Sequence, residues 1–130
     1  MPRHRILFID DNPDLRATLA ARLTQAGYEV AAAGSGQEGV SLALEEPFDL
    51  VLLDMLMPGQ DGITTYQALR AQEGTSRIPV ILFTAMAVEG HWEELPDEPG
   101  GSCYVMGKPY EASILLRRLA QVLGDPRRGS

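Results

Sequence analysis

Short apolar runs alternate with segments of helical character along the chain, and this alternation constrains the fold more than any other feature. The apolar runs cover residues 5–9, 28–31, 50–53, 79–83 and 103–106. Two of them, at 50–53 and 79–83, are apolar throughout, as expected of strands that are covered on both faces. Strands that alternate with helices form a parallel sheet with helices on both faces and right-handed crossovers. The sequence therefore predicts an α/β fold, a doubly wound sheet of five parallel strands.

Local signals predict where the first helix begins and where the last one ends. The pair Asn12-Pro13 is typical of a helix N-cap followed by the first helical residue. A last helix over residues 114–123 is stopped by the glycine and proline that follow it. We therefore expect one domain over residues 1–124, followed by a short, disordered tail at 125–130.

Composition and charge argue against several classes of function. Cys103 is the single cysteine, so the chain cannot form an internal disulfide, which fits a reducing compartment. No apolar run approaches the length of a membrane span. Because the first residues lead straight into a strand-like run, we expect no signal peptide. The net charge of −7 argues against nonspecific binding of nucleic acid. We expect a cytoplasmic protein with no direct nucleic-acid contact and no membrane insertion.

Polar residues follow the strands at their carboxyl ends, where open α/β sheets bind their ligands. They are Asp10 and Asp11 after the first strand, Asp54 after the third, Thr84 after the fourth and Lys108 after the fifth. Each residue alone is compatible with capping or a loop, but their joint placement at one sheet edge favours a site. If the first and third strands are neighbours, three carboxylates converge there and repel one another.

A hard divalent cation would offset this repulsion, and Mg²⁺ is held by carboxylates while it binds phosphate oxygens. A carboxylate can itself be the nucleophile of phosphoryl transfer, which points to Asp54. Lys108, the only lysine of the chain, would neutralise phosphate oxygens, and Thr84 would donate a hydrogen bond to one of them. The sequence therefore predicts Mg²⁺-dependent phosphorylation of Asp54.

At these residues the sequence strongly resembles the response-regulator receiver family. The matching residues are the acidic pair Asp10-Asp11, the stretch Asp54-Met55-Leu56-Met57-Pro58-Gly59-Gln60-Asp61-Gly62 with the pattern D-x-x-M-P-x-x-D-G, and the pairs Thr84-Ala85 and Lys108-Pro109. The resemblance covers nearly the whole chain, from about residue 5 to 123. It implies a flavodoxin-like fold with the parallel strands in the order 2-1-3-4-5.

The resemblance also implies what the site does. Asp54 would receive its phosphoryl group from a histidine kinase or a histidine phosphotransfer protein, and the signal would leave through contacts with a downstream protein. Four ligands would hold Mg²⁺: the carboxylates of Asp10, Asp11 and Asp54, and the backbone carbonyl of Leu56. Such a domain catalyses only its own phosphorylation and dephosphorylation, so it is not an enzyme acting on other substrates.

Three other functions are compatible with parts of this pattern. A flavin-binding electron carrier would need a phosphate loop rich in hydroxyls and glycine after the first strand, where this chain has two aspartates and an asparagine. A Mg²⁺-dependent phosphohydrolase would need a cap segment or a second general acid, and neither is visible. A degenerate receiver, used only for binding, would not need the full set of site residues.

Residues 86–101 depart most from the family, which places a regular helix here. Gly90, Pro96 and Pro99 interrupt helical structure, and the segment has five acidic residues with no lysine or arginine. Its apolar stripe is short: Val88, Trp92 and Leu95. We expect an atypical fourth helix of at most two turns, followed by an extended segment.

The last strand departs from the family by one position. Val105 occupies the place where receivers usually carry a switch aromatic, and Tyr104 is one residue away. Because successive strand residues face opposite sides of a sheet, we expect Tyr104 on the other face. The usual coupling between the aromatic and Thr84 should then be absent or altered, and dimerisation through this surface weak.

Overall fold

The computed structural model describes residues 4–57, 60–84, 92–95, 103–107 and 111–123. Within these ranges the strands are β1 (Arg5–Ile9), β2 (Glu29–Ala33), β3 (Leu50–Asp54), β4 (Leu56–Met57), β5 (Gln60–Asp61), β6 (Val80–Thr84), β7 (Trp92–Leu95) and β8 (Cys103–Gly107). The helices are α1 (Pro13–Gln25), α2 (Gly36–Glu45), α3 (Gly62–Ala71) and α4 (Ala112–Leu123). The predicted domain limit at 124 and the tail at 125–130 lie outside the described residues. No helix in the described ranges is long and apolar enough to cross a membrane.

Five parallel strands form the main sheet in the order β2-β1-β3-β6-β8. This order confirms the predicted 2-1-3-4-5 arrangement of a flavodoxin-like fold. Ile9 lies opposite both Ala33 and Leu53, and Thr84 lies opposite Gly107. The carboxyl ends of the central strands therefore lie at one edge of the sheet.

The sheet separates two apolar clusters, one on each face. One cluster joins alternate strand residues to α1 and α4, for example Phe8 with Leu23 and Leu119. The other joins the intervening strand residues to α2 and α3, for example Leu53 with Leu69. Successive residues of β3 belong to opposite clusters and are all buried. This two-sided burial explains why its sequence is apolar at every position up to Asp54.

A sixth strand, β7, extends the sheet beyond β8 and runs antiparallel to it. The short helical stripe expected through Trp92 and Leu95 is therefore wrong for these two residues, which lie in a strand. The neighbouring residues 85–91 and 96–102 lie outside the described part of the chain. The Trp92 and Tyr104 rings stack with their centroids 5.0 Å apart and their planes 13° from parallel. This contact ties the edge strand to the sheet.

The prediction that Tyr104 and Val105 face opposite sides of the sheet is confirmed. Tyr104 packs against the cluster on the α1 and α4 face, whereas Val105 packs against the cluster on the α2 and α3 face. The side chain on the α2 and α3 face at this position is thus aliphatic and not aromatic.

Helix α1 begins as the Asn12-Pro13 pair predicts. The Asn12 side chain accepts hydrogen bonds from the backbone N–H groups of Asp14 at 3.0 Å and Leu15 at 3.1 Å. Beyond the other end of the helix, Gly27 has a φ of 106°, a left-handed conformation that glycine adopts without steric cost.

Asn12→Ala should lower the free energy of unfolding by about 1 kcal/mol, because two helix N–H groups lose their acceptor. Urea denaturation measures this loss. Asn12→Ser is the matched control, since a serine hydroxyl can accept the same bonds, and it should keep most of the stability. Equal loss in both variants would show that the cap contributes nothing specific.

Candidate functional site

Three predicted site residues lie at the carboxyl ends of neighbouring strands. Asp10 directly follows β1, Asp54 is the last residue of β3 and Thr84 is the last residue of β6. All three are buried, with exposed fractions of 2%, 5% and 7%. Asp11 follows Asp10 and is exposed. The site thus combines three buried residues with one exposed carboxylate, that of Asp11.

The carboxylates of Asp10, Asp11 and Asp54 meet as predicted, with one oxygen from each lying within 4.8 Å of the others. Charges this close repel one another. Carboxylate oxygens are ligands that Mg²⁺ prefers, and a cation between them would remove the repulsion. The three side chains therefore fit a hard divalent cation such as Mg²⁺.

Hydrogen bonds fix Asp10 on both sides of its Cα. Its backbone N–H donates to the Ala33 carbonyl at 3.1 Å, which continues the β1–β2 ladder. The backbone N–H of Asn12 donates to Asp10 Oδ1 at 2.9 Å and orients the carboxylate. One asparagine residue thus caps α1 with its side chain and holds a carboxylate of the site with its backbone.

Arg16 is a residue at the site that sequence reasoning missed. Its Nη1 donates to the Asp10 carbonyl oxygen at 2.7 Å. The same guanidinium lies against Gly34, where an added Cβ would come within 3.1 Å of Nη1. The sequence could have indicated this contact, because Arg16 lies in the first turns of α1, four residues after the N-cap Asn12 and close to the acidic pair along the chain. Arg16 therefore holds the backbone of Asp10 just after β1.

The end of β3 is fixed through Met55 and Gly62. The Met55 N–H donates to the Phe83 carbonyl at 3.0 Å, and the Gly62 N–H donates to the Met55 carbonyl at 2.7 Å. A Cβ on Gly62 would lie 2.5 Å from Met55 Cα and 2.7 Å from the Asp54 carbonyl oxygen. The first residue of α3 thus packs directly on the backbone that carries Asp54, which explains the glycine that ends the signature.

Two predicted residues are less fully described. Leu56, whose carbonyl the resemblance adds to the metal ligands, begins β4, where it pairs with Asp61. Lys108 lies outside the described residues, one position beyond the end of β8 at Gly107. Because Gly107 pairs with Thr84, the described strand leads the chain to the same sheet edge.

Comparison with known proteins identifies the family to which the chain belongs. The family model for the response regulator receiver domain matches residues 6–120. Protein PilH of Pseudomonas aeruginosa is 35% identical over 119 residues, which cover 92% of this chain and 97% of PilH. The DNA-binding dual master transcriptional regulator RpaA of Synechocystis is 34% identical, but the match covers 92% of this chain and only 48% of RpaA. The chain thus spans about half the length of RpaA.

Solved structures agree with these relatives. Chemotaxis protein CheY4 of Vibrio cholerae superposes with a TM-score of 0.77 at 27% identity, over 94% of this chain and 100% of CheY4. The receiver domain of sensor histidine kinase PA1611 from Pseudomonas aeruginosa has a TM-score of 0.77 at 30% identity, over 95% and 99% of the two chains. A magnesium ion is coordinated in the active site cleft of that PA1611 structure. This chain belongs to the response regulator receiver domain family.

Proposed function

We propose that this protein is a phosphorylation-dependent switch of two-component signalling, acting in the cytoplasm, in which Asp54 accepts a phosphoryl group. The observation that carries the proposal is the meeting of the Asp10, Asp11 and Asp54 carboxylates within 4.8 Å at the ends of adjacent strands. The donor is a histidine kinase or a histidine phosphotransfer protein. The signal leaves through contacts with a downstream protein.

Each residue of the site has its own role in the proposed phosphoryl transfer. A carboxylate oxygen of Asp54 attacks phosphorus, and the bond between phosphorus and the donor nitrogen breaks as the aspartyl phosphate forms. Mg²⁺ held by Asp10, Asp11 and Asp54, with the Leu56 carbonyl as a further ligand, would neutralise the phosphate oxygens. Thr84 would donate a hydrogen bond to one of these oxygens, and the family resemblance assigns the ammonium of Lys108 to another.

The burial of Asp54 suits this role. Asp54 is 5% exposed, while Asp11 at the same cluster is exposed to solvent. A nucleophile that is held by the strand and screened from solvent needs little reorganisation before attack. The protein needs to act on no substrate other than its own aspartate.

The direct test uses acetyl phosphate as a small phosphodonor. With Mg²⁺ present, intact-mass spectrometry should detect the addition of one phosphoryl group per chain, and excess EDTA should prevent it. An equal extent of labelling with EDTA would contradict the metal requirement. Labelling of more than one residue would contradict the assignment to a single aspartate.

Mg²⁺ should raise the thermal stability of the protein, because it binds the folded site and relieves the repulsion between the carboxylates. At a metal concentration about 100-fold above the dissociation constant, the gain in free energy of unfolding is about 2.7 kcal/mol.

Asp54→Asn should raise the melting temperature of the metal-free protein, since it removes one of the repelling charges, and should weaken the response to Mg²⁺. Thermal melts with EDTA and with Mg²⁺ measure both effects. A melting temperature that responds to neither change would exclude carboxylate repulsion as a force in this site.

A further inference from the structure

The guanidinium of Arg16 contacts both of the chain segments that follow β1 and β2. Its Nη1 donates to the Asp10 carbonyl oxygen at 2.7 Å. The same group packs against Gly34, where an added Cβ would come within 3.1 Å of Nη1 and 3.4 Å of Cζ. Arg16 itself is half-buried. The side chain therefore occupies a space that exists only because position 34 is a glycine.

Hydrogen bonds hold the segment around Gly34 in place. The Gly34 N–H donates to Oε2 of Glu38, which lies in the first turn of α2, at 3.2 Å. The carbonyl of the preceding residue, Ala33, accepts the bond from the Asp10 N–H at 3.1 Å. The start of α2 is thus connected to Asp10 by two routes, one through the Ala33 carbonyl and one through Gly34 and Arg16.

The bond from Arg16 acts on both residues of the acidic pair. Because a peptide bond is planar, holding the Asp10 carbonyl also fixes the N–H and the Cα of Asp11. The carboxylates of these two residues and of Asp54 lie within 4.8 Å, so their mutual repulsion favours any movement that separates them. A hydrogen bond from a charged donor is stronger than one between neutral groups. Arg16 therefore opposes a rotation of the Asp10–Asp11 backbone that would open the cluster.

We propose that Arg16 is a positioning residue for Mg²⁺ binding, and that Gly34 serves the same purpose by leaving room for its guanidinium. The inference rests on the proposed function, in which Asp10 and Asp11 hold the metal. Arg16 acts through the Asp10 backbone and not as a metal ligand. Removing a group that orients a metal ligand typically lowers metal affinity by about 10- to 100-fold. Because Asp10 is also held by its other hydrogen bonds, we expect an effect at the lower end of this range.

A titration with Mg²⁺ alone, followed by amide NMR spectra, tests the proposal without any phosphorylation step. The spectra give the dissociation constant and show at the same time that each variant is folded. Arg16→Met removes the donor but keeps a long side chain, and should raise the Mg²⁺ dissociation constant about tenfold. Arg22→Met is the matched control, because it removes the same charge from an exposed position of the same helix, and it should bind Mg²⁺ like the parent.

Gly34→Val tests the positioning role with the charge of Arg16 still present. The backbone at Gly34 has no positive φ, so valine is compatible with it, but the new side chain would displace the guanidinium. This variant should also bind Mg²⁺ more weakly than the parent. The double variant Arg16→Met/Gly34→Val should bind no more weakly than Arg16→Met alone, since both changes remove the same contact. Losses that multiply in the double variant would overturn the pairing of Gly34 with Arg16.

The outcomes separate this inference from the proposed function. If the parent binds Mg²⁺ and Arg16→Met binds it equally tightly, Arg16 is not a positioning residue, while the phosphoacceptor site is unaffected. An equal loss of affinity in Arg22→Met and Arg16→Met would also overturn the inference, because the effect would then follow net charge. If the parent itself binds no Mg²⁺ at the carboxylate cluster, the proposed function fails and the inference fails with it.

Discussion

Asp54→Asn should abolish phosphorylation by acetyl phosphate, whereas the parent protein gains one phosphoryl group. The amide has nearly the same shape as the carboxylate but lacks the nucleophilic oxygen anion that must attack phosphorus. Asp10 and Asp11 do not replace it in the proposed mechanism, because they serve only as metal ligands, whereas Asp54 is both a ligand and the nucleophile. The expected effect is complete loss of labelling and not a reduced rate.

Asp49→Asn is the matched control for this experiment. Asp49 precedes the same strand, β3, at the end opposite Asp54, and is exposed. Its carboxylate accepts a hydrogen bond from the Arg5 backbone N–H at 2.7 Å, which an asparagine side-chain oxygen can also accept. This variant should be labelled like the parent. Labelling of Asp54→Asn to the parent's extent would place the phosphoacceptor elsewhere and remove the basis of the proposed function.

The carboxylate cluster could be predicted from the sequence because it depends on strand order and register alone. Ile9 pairs with Leu53, so the next residue along each strand, Asp10 and Asp54, reaches the same level of the sheet. The residues that lead up to these two aspartates, 6–9 and 50–53, are all apolar and buried. Once a parallel sheet is predicted, the first polar residue after each strand must lie at one common edge.

Strand β7 could not be predicted in the same way. In the sequence, Trp92 and Leu95 follow Val88 at a spacing that fits one side of a short helix. What makes residues 92–95 a strand is pairing with β8 and the stacking of Trp92 on Tyr104, which are contacts distant in sequence. Strand formation depends on such neighbours more than on local propensity.

The supports around the site were also beyond sequence reasoning. Arg16 and Gly62 both support the site because of how α1 and α3 pack against the strand ends. Arg16 donates a hydrogen bond of 2.7 Å to the Asp10 carbonyl, and the Gly62 N–H donates one of 2.7 Å to the Met55 carbonyl. A helical pattern identifies which residues face the sheet, but not which backbone atom they will meet. Gly62 could be recognised in the sequence as part of the family signature. Why a glycine is needed there is explained only by the structure, which leaves no space for a Cβ at this position.

Gly62→Ala should destabilise the protein by about 3 kcal/mol, at the upper end of the usual cost of overpacking. The new Cβ would lie 2.5 Å from Met55 Cα and 2.7 Å from the Asp54 carbonyl oxygen, both backbone atoms that cannot rotate away. Either the first turn of α3 retreats from β3, which weakens the 2.7 Å bond from the Gly62 N–H to Met55, or the backbone of Asp54 moves. Both responses disturb the phosphoacceptor, so the labelling rate should fall even where the variant is fully folded.

Gly74→Ala is the control that separates this clash from the general effect of replacing glycine. A Cβ at Gly74 meets nothing within 4 Å, and the backbone there is not in the left-handed region. Its stability should be unchanged or higher by about 0.5 kcal/mol, because alanine restricts the unfolded chain. Urea denaturation gives the stabilities, and acetyl phosphate labelling below the unfolding transition gives the rates. If Gly62→Ala is as stable and as rapidly labelled as Gly74→Ala, the contact between α3 and the end of β3 does not position Asp54.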